Sequence, residues 1–331
     1  MPVCSPKKFP SKNLKQFEVK LKEGGFPIPV GRVEFAYLYP LDFFEYLEAT
    51  GQESLLSFLK NVSLSEEIPT SLHEKALAAF GEYALVGGMP EAVKQYAESE
   101  DLEKVNSVYS NLTVSFQDDT YKYAASAEAK YLTFVLEQAP LFAGLPITYE
   151  KFAGSNYHSR EMAKAFATLA KAMLLFQVRA TKSRALPLLP AGKKPPKLLF
   201  LDVGLVNFQM GIQSEYLKLK DLTDFYQGRI AEQVVGQQLL SSFVNVPPQL
   251  FYWYKKTGSE AERDFCLVSR GGLLGLEVKS GSAGRLKSIW EFVKETTNSK
   301  VVRVYSGPVK IDKIISLPFY LLPRWQELSA A

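Results

Sequence analysis

The chain has 331 residues, of which 47% are hydrophobic and 22% are charged, proportions typical of a packed soluble protein. No apolar run approaches the roughly 20 residues that a membrane-spanning helix needs, and Met1–Lys8 contains no signal-peptide core, so the sequence predicts a cytoplasmic protein without a membrane partner. Two cysteines and two histidines argue against a disulfide framework, a zinc site and a multi-histidine metal site.

The net charge is only +4, but the charges are unevenly distributed along the chain. Between Thr148 and Lys197 there are ten lysines and arginines against two glutamates, which gives this segment about +8 and leaves about −4 for the rest. A local basic excess is expected of a surface that binds nucleic acid. A solvated basic face is the alternative interpretation, and the charge pattern alone does not separate the two.

The first segment, residues 1–125, is predicted to be an N-terminal extension followed by helices. Lysine and proline are frequent up to about residue 30, and an alternating apolar pattern then predicts a short strand. Gly87-Gly88-Met89-Pro90 is predicted to be a turn, and Pro90 suits the first position of the next helix. The predicted elements are a strand over Arg32–Tyr39 and helices over Leu41–Thr50, Ser71–Val86, Glu91–Glu98 and Asp101–Tyr123.

The second segment, residues 126–215, has the element order of a winged helix-turn-helix. Ser159 is expected to cap its basic helix. The predicted elements are helices over Ser126–Gln138, Thr148–Ala153 and Ser159–Met173, a strand over Phe176–Ala180, a proline-containing wing over Thr181–Ala191, a strand over Lys197–Asp202 and a helix over Val203–Ile212. The residues predicted to contact DNA are Arg160, Lys164, Lys171, Arg179, Lys182 and Arg184.

The third segment, residues 216–331, is predicted to have the order α-β-β-β-α-β with one further strand. Gly271-Gly272 lies between two strand-like runs, which is typical of a hairpin. The predicted elements are helices over Asp224–Phe243 and Gly284–Glu295, and strands over Leu250–Lys255, Asp264–Val268, Leu273–Val278, Lys300–Tyr305 and Leu317–Leu322.

Charged residues interrupt the two apolar strands of this hairpin. Asp264 begins one strand, and Glu277 and Lys279 share a face at the end of the other, because strand side chains alternate with a period of two. Ionised groups among apolar neighbours are costly unless they are paired or bind a metal. Two carboxylates can hold Mg²⁺, and an adjacent lysine can orient water or stabilise charge at a phosphate.

This constellation resembles the core of the PD-(D/E)xK nucleases, which have the restriction-endonuclease-like fold. Arg263 stands where the proline of that pattern would be. The resemblance implies that Asp264 and Glu277 bind Mg²⁺, that Lys279 acts on water or phosphate, and that Glu232 supports the site from the preceding helix. The competing interpretation is that the same carboxylates and lysine form an ion-pair cluster within a structural fold.

Four separated blocks resemble a prokaryotic family of AAA-type ATPases that carry a P-loop ATPase, a winged helix and a C-terminal nuclease-like domain of unknown function. The resemblance covers about residues 26–325 and implies that residues 1–125 include the helical remnant of an AAA lid. The blocks are Val30–Leu41, Gly87–Val93, Leu199–Leu205 and Glu277–Gly281.

The motif G-x-x-x-x-G-K-[ST], whose amides hold nucleotide phosphates, does not occur in this sequence. We therefore expect no ATP site and no ATPase activity from this chain alone. We interpret the chain as a truncated or split member of this family. We expect it to assemble with a separate P-loop ATPase chain or as a homo-oligomer.

The predicted fold class is α/β, or α+β over the whole chain. Two functions follow from the residues and the resemblance. The first is Mg²⁺-dependent cleavage of DNA that the winged helix binds. The alternative is a non-catalytic module that binds nucleic acid or protein, or regulates a partner, and in which the nuclease-like fold is structural.

Overall fold

A computed structural model describes residues 36–123, 126–192, 194–213, 229–255, 261–269, 272–279 and 287–329. It confirms the predicted α+β class, because an eight-stranded mixed sheet follows a largely helical first part. The helices are α1 (Phe43–Ala49), α2 (Glu53–Asn61), α3 (Thr70–Val86), α4 (Pro90–Ser99), α5 (Leu102–Tyr123), α6 (Ser126–Gln138), α7 (Ser159–Lys171), α8 (Val203–Gln209), α9 (Arg229–Ser241) and α10 (Lys287–Glu295). The strands are β1 (Leu175–Thr181), β2 (Lys197–Phe200), β3 (Phe251–Lys255), β4 (Ala261–Ser269), β5 (Gly272–Val278), β6 (Ser299–Tyr305), β7 (Lys310–Ile311) and β8 (Ile315–Pro318).

The strands form one sheet in the order β2-β1-β3-β4-β5-β6-β8-β7. The pairs β1/β3, β5/β6 and β6/β8 are parallel, and the remaining neighbours are antiparallel. The first half of β1 pairs with β2 and its second half with β3. The two strands of the predicted winged helix therefore continue the sheet that carries Asp264 and Glu277.

The two faces of the sheet have different covers. On one face Phe265 and Leu276 belong to the main apolar core, which continues through α9 and the N-terminal helices. On the other face Cys266 packs with Phe292 of α10 in a smaller core. A Cβ atom at Gly275 would lie 2.8 Å from the Phe292 ring, so this close approach of helix and strand requires a residue without a side chain.

A buried carboxylate joins the three predicted segments. Asp202 is fully buried and accepts hydrogen bonds from the backbone N–H of Gly88 (2.7 Å), the amide of Gln237 (3.0 Å) and the hydroxyl of Tyr109 (2.8 Å). Burial raises the pKa of Asp202. Gly87 has a φ of +88°, and a Cβ there would lie 2.3 Å from the Asp202 carboxylate, while a Cβ at Gly88 would lie 2.3 Å from the Leu41 carbonyl oxygen, so both positions of this turn require glycine.

Four local predictions differ from the structure. The stripe of Leu55, Leu56 and Leu59 forms α2, a helix that was not predicted. Ala36–Tyr39, the described part of the predicted first strand, form no strand. The predicted helix over Thr148–Ala153 is a single 3₁₀ turn at Phe152–Gly154, and the predicted last strand ends at Pro318, which lacks the N–H that a continuing ladder needs. A 3₁₀ helix, Phe319–Ser329, follows it.

Candidate functional site

Asp264 and Glu277 occupy adjacent strands, but their carboxylates bind different cations. The register pairs Phe265 with Leu276, so Asp264 and Glu277 are the next positions along β4 and β5. The Asp264 Oδ1 atom lies 3.4 Å from the Lys197 ammonium, and its Oδ2 atom accepts the Val278 N–H at 2.7 Å. Glu277 instead forms ion pairs with Arg263 and, at 2.6 Å, with Lys279.

An irregularity in β4 accounts for this division. Phe251 pairs with Cys266, whereas Trp253 pairs with Arg263, so two steps along β3 correspond to three along β4. One extra residue of this kind is a β-bulge, which changes the direction in which neighbouring side chains point. Arg263 lies opposite Trp253, whose ring packs against α10, while Asp264 contacts the lysine that also binds α9. Strict alternation therefore fails at this point of the strand.

Lys197 is the centre of the site. Its Nζ atom lies 3.0 Å from Glu232 and 3.4 Å from both Glu262 and Asp264, and the Lys197 residue is only 4% exposed. The ammonium also lies 5.4 Å from the centre of the Tyr252 ring. Burial alone would lower the pKa of Lys197, but the three carboxylates outweigh it and raise the pKa above its ordinary value. Lys197 therefore stays charged.

Two glutamates at the site bind protons more tightly than free glutamate. Burial and the neighbouring Asp264 raise the pKa of Glu232 to about 7, although Lys197 opposes the shift. Burial and Asp264 also raise the pKa of Glu277, and Arg263 opposes it. The cluster around Lys197 contains more carboxylates than ammonium groups. Near neutral pH, a proton on Glu232 therefore reduces the excess negative charge of the cluster.

The residues as arranged do not fit a magnesium ion. Within the described ranges no group of three His, Cys, Asp or Glu side chains is placed to hold a metal. The point that three carboxylates share is occupied by the Lys197 ammonium, whereas Mg²⁺ requires oxygen ligands at about 2.1 Å in octahedral geometry. The roles predicted for Asp264, Glu277, Lys279 and Glu232 stay predictions.

The predicted site did not include Lys197. Lys197 belongs to the basic segment of the sequence, yet it begins the fully buried strand Lys-Leu-Leu-Phe. A lysine at the start of an otherwise apolar strand is the signal that could have identified it as a site residue. Glu262 was also not among the predicted site residues. Arg263 was noted only as a replacement for proline, although it is completely buried.

Three of the six residues predicted to contact DNA lie along one face of α7. Arg160, Lys164 and Lys171 are exposed and, at about 100° per residue, fall within roughly 40° of each other around the helix. The opposite face of α7 buries Met162 and Phe166. Lys164 forms an ion pair with Glu128, while no carboxylate partner of Arg160 or Lys171 is present in the described chain.

The other three predicted DNA contacts lie on β1 and the wing. Arg179 is exposed on β1. Lys182 lies 5.1 Å from the centre of the Tyr254 ring, and Arg184 forms an ion pair with Glu295 of α10 at 2.8 Å. These three residues lie on β1 and the wing segment, as their predicted positions indicate, and Arg184 is partly neutralised by Glu295.

The start of α7 is held by a carboxylate from the preceding loop rather than by the predicted serine cap. His158 occupies the N-cap position, and Ser159 is the first residue of the helix. Glu150 accepts hydrogen bonds from the Ser159 N–H at 2.8 Å and the Ser159 hydroxyl at 2.6 Å. These bonds, together with the one from His158, lower the pKa of Glu150 to about 2.

Two family models match the chain. Residues 77–216 match a domain of unknown function, DUF8612, and residues 227–320 match another domain of unknown function, DUF4143. DUF4143 is often found next to AAA ATPases, which agrees with the predicted resemblance in its coarse form. Comparisons with curated proteins and with solved structures gave no significant match. No helix among the described residues is long and apolar enough to cross a membrane.

Proposed function

We propose that this chain is a nucleic-acid-binding module that does not cleave the nucleic acid it binds. The observation that carries the proposal is the exposed stripe of Arg160, Lys164 and Lys171 opposite the buried face of α7. Cations on a helix that is anchored by its other face can contact successive phosphates without refolding. Each phosphate contact of this kind releases counter-ions, so binding is expected to weaken steeply with salt.

A second group of cations lies on the wing and on either side of it in the sequence. Lys182 and Lys194 both lie about 5 Å from the centre of the Tyr254 ring, at 5.1 and 5.0 Å. Arg179 is exposed on β1 before the wing begins. A helix and a wing that both carry cations are the two contact elements of the predicted winged helix.

The ion pairs of the carboxylate site support the non-catalytic half of the proposal. The Lys279 ammonium is paired with Glu277, and Glu277 is further neutralised by the buried Arg263. Asp264 is occupied by Lys197 and by the Val278 N–H. Each predicted catalytic group therefore has an internal partner, as expected of a structural cluster in which buried charges are paired and hydrogen-bonded.

Mg²⁺-dependent cleavage of DNA is the second candidate function. This function is favoured because Asp264 and Glu277 lie on paired strands next to the Phe265–Leu276 pair, and because Lys279, two residues after Glu277, contacts it. The test compares cleavage of linear and supercoiled DNA with Mg²⁺ by the wild type, Asp264→Ala and Lys279→Ala. We expect no cleavage by any of the three. If the wild type cleaves DNA and both substitutions abolish the cleavage, the chain is a nuclease and the proposal of a non-cleaving module is wrong.

Binding itself is tested by fluorescence anisotropy of a labelled DNA duplex at several salt concentrations. We expect an affinity that falls steeply with salt. An affinity that is immeasurable even at low salt would refute the binding module.

A separate P-loop ATPase chain is the proposed partner, since DUF4143 is often found next to AAA ATPases. A homo-oligomer is the alternative assembly. Light scattering of the purified chain and an ATPase assay separate the two: we expect a monomer that hydrolyses no ATP, and a stable oligomer would favour self-association.

A further inference from the structure

The carboxylate cluster around Lys197 is built from separate elements. Glu232 comes from α9, Glu262 and Asp264 come from β4, and Lys197 opens the edge strand β2. Between β2 and β4 in the sheet lie β1 and β3, and the lysine crosses the Tyr252 ring of β3. Lys197 therefore links its own strand β2 to helix α9 and to β4, a strand that is not a neighbour of β2 in the sheet.

We propose that the ammonium of Lys197 is a resident counter-ion that takes the place of a divalent metal between α9 and β4, so that the cluster is complete without a metal ion. This inference does not depend on whether the chain binds nucleic acid. It assigns Lys197 a positioning role: the lysine holds the edge strand β2, which follows the end of the predicted wing, against α9 and β4.

Distances and burial support this assignment. Three carboxylates converge on one nitrogen within 3.0–3.4 Å, while the Lys197 side chain is 5% exposed. A metal could enter only by displacing a charged group that has little access to water. Mg²⁺ would also have to give up part of its tightly held hydration shell, which it does reluctantly. The Lys197 ammonium displaces no other charged group and gives up no metal hydration shell, because the fold already holds it among the three carboxylates.

The remaining charge near the cluster comes from a second lysine. Lys194 lies 3.9 Å from Glu262, is partly exposed and also contacts the Tyr254 ring. Two ammonium groups therefore face three carboxylates, and this balance leaves little net charge to attract a divalent ion. Removal of Lys197 should increase the excess of negative charge and destabilise the fold, because buried carboxylates would lose their counter-ion.

The experiment compares full-length variants by thermal unfolding and by Mn²⁺ titration followed by electron paramagnetic resonance. The variants are Lys197→Met, Lys197→Met with Glu232→Gln, Asp264→Asn and the control Lys255→Met. Lys255 also contacts two carboxylates, Glu291 at 2.8 Å and Glu295 at 2.9 Å, but its side chain is 20% exposed and lies against α10. It therefore controls for the loss of a lysine that bridges two acids.

We expect the wild type to bind Mn²⁺ no better than Asp264→Asn, and Lys197→Met to melt about 5–10 °C below the wild type. Lys255→Met should melt closer to the wild type, and Glu232→Gln should restore part of the loss in the Lys197→Met background. Mn²⁺ binding by the wild type that Asp264→Asn abolishes would overturn the proposal, as would a Lys197→Met variant as stable as the wild type. If Lys197→Met does not fold, the Mn²⁺ comparison of wild type and Asp264→Asn decides alone.

Discussion

The backbone N–H of Gly88 donates a 2.7 Å hydrogen bond to the buried carboxylate of Asp202, 114 residues later in the chain. The same carboxylate accepts from Tyr109 and Gln237, so one side chain connects the turn after α3, the start of α8 and helix α9. In the described structure no lysine or arginine pairs with Asp202. The buried carboxylate of Asp202 is therefore stabilised by hydrogen bonds alone.

Replacement of Asp202 should cost much of the stability of the fold. Asp202→Ala would leave several buried donors without an acceptor, and we expect a loss of about 3–5 kcal/mol in the free energy of unfolding. Asp202→Asn, which keeps the shape and one acceptor oxygen, should cost less. Urea unfolding followed by circular dichroism measures both. If Asp202→Ala lowers the free energy of unfolding by less than about 0.5 kcal/mol, Asp202 does not hold these parts of the chain together.

Gly204 should tolerate no side chain. A Cβ atom there would lie 2.1 Å from the Val86 carbonyl oxygen and 2.3 Å from the Tyr109 hydroxyl. Because one of these atoms belongs to the backbone, Gly204→Ala should destabilise the fold by about 2 kcal/mol or more. Gly192→Ala is the control, since no atom lies within 4 Å of its Cβ position. Equal melting temperatures for the two variants would refute the close contact.

The ion pair of Arg263 and Glu277 should behave as one unit. Both side chains are buried, and the Nε and Nη2 groups of Arg263 have no hydrogen-bond partner in the described part of the chain. Arg263→Met should cost about 3–5 kcal/mol, because it removes one partner of a buried pair. Arg263→Met combined with Glu277→Leu should recover part of that loss. Strictly additive losses in the double-mutant cycle would show that the pair is not coupled.

The start of α7 should depend on pH through Glu150. The pKa of Glu150 is about 2 in the folded protein, below its ordinary value, so the ionised group stabilises the fold. This contribution is complete above the unfolded pKa and is lost as the pH falls from about 4.3 toward 2. The melting-temperature difference between wild type and Glu150→Gln should therefore be larger at pH 6 than at pH 3. If the melting-temperature difference is the same at both pH values, the ionised Glu150 carboxylate does not stabilise the start of α7.

Much of the fold follows from local patterns. Amphipathic spacing predicted α3 through α6 closely, and the Gly271-Gly272 signal predicted the pairing of β4 with β5, because hairpins are encoded by adjacent residues. The parallel pairing of β1 with β3 joins residues more than 70 positions apart. Neither strand's own pattern specifies that partner, so the union of two predicted domains in one sheet could not be predicted.

Only some residues of the site were predicted from the sequence, and most of their partners were not. Lys279 contacts Glu277, in agreement with the shared face that a period of two predicts, whereas Glu232 of α9 contacts Lys197. The β-bulge in β4 adds one residue and breaks the period of two, so the local pattern could not predict that Asp264 contacts Lys197 and not the cations of Glu277. Lys197 enters from a distant strand, and only the tertiary fold places it there.

The central claim is that α7 binds nucleic acid through its exposed cations. The most direct test is the salt dependence of duplex DNA binding by the wild type, by Arg160→Gln with Lys171→Gln, and by the control Lys94→Gln with Lys104→Gln. The control removes the same charge from exposed positions of α4 and α5. We predict that the slope of log affinity against log salt becomes shallower by about two for the α7 variant and stays unchanged for the control. Equal slopes for all three proteins would contradict the claim.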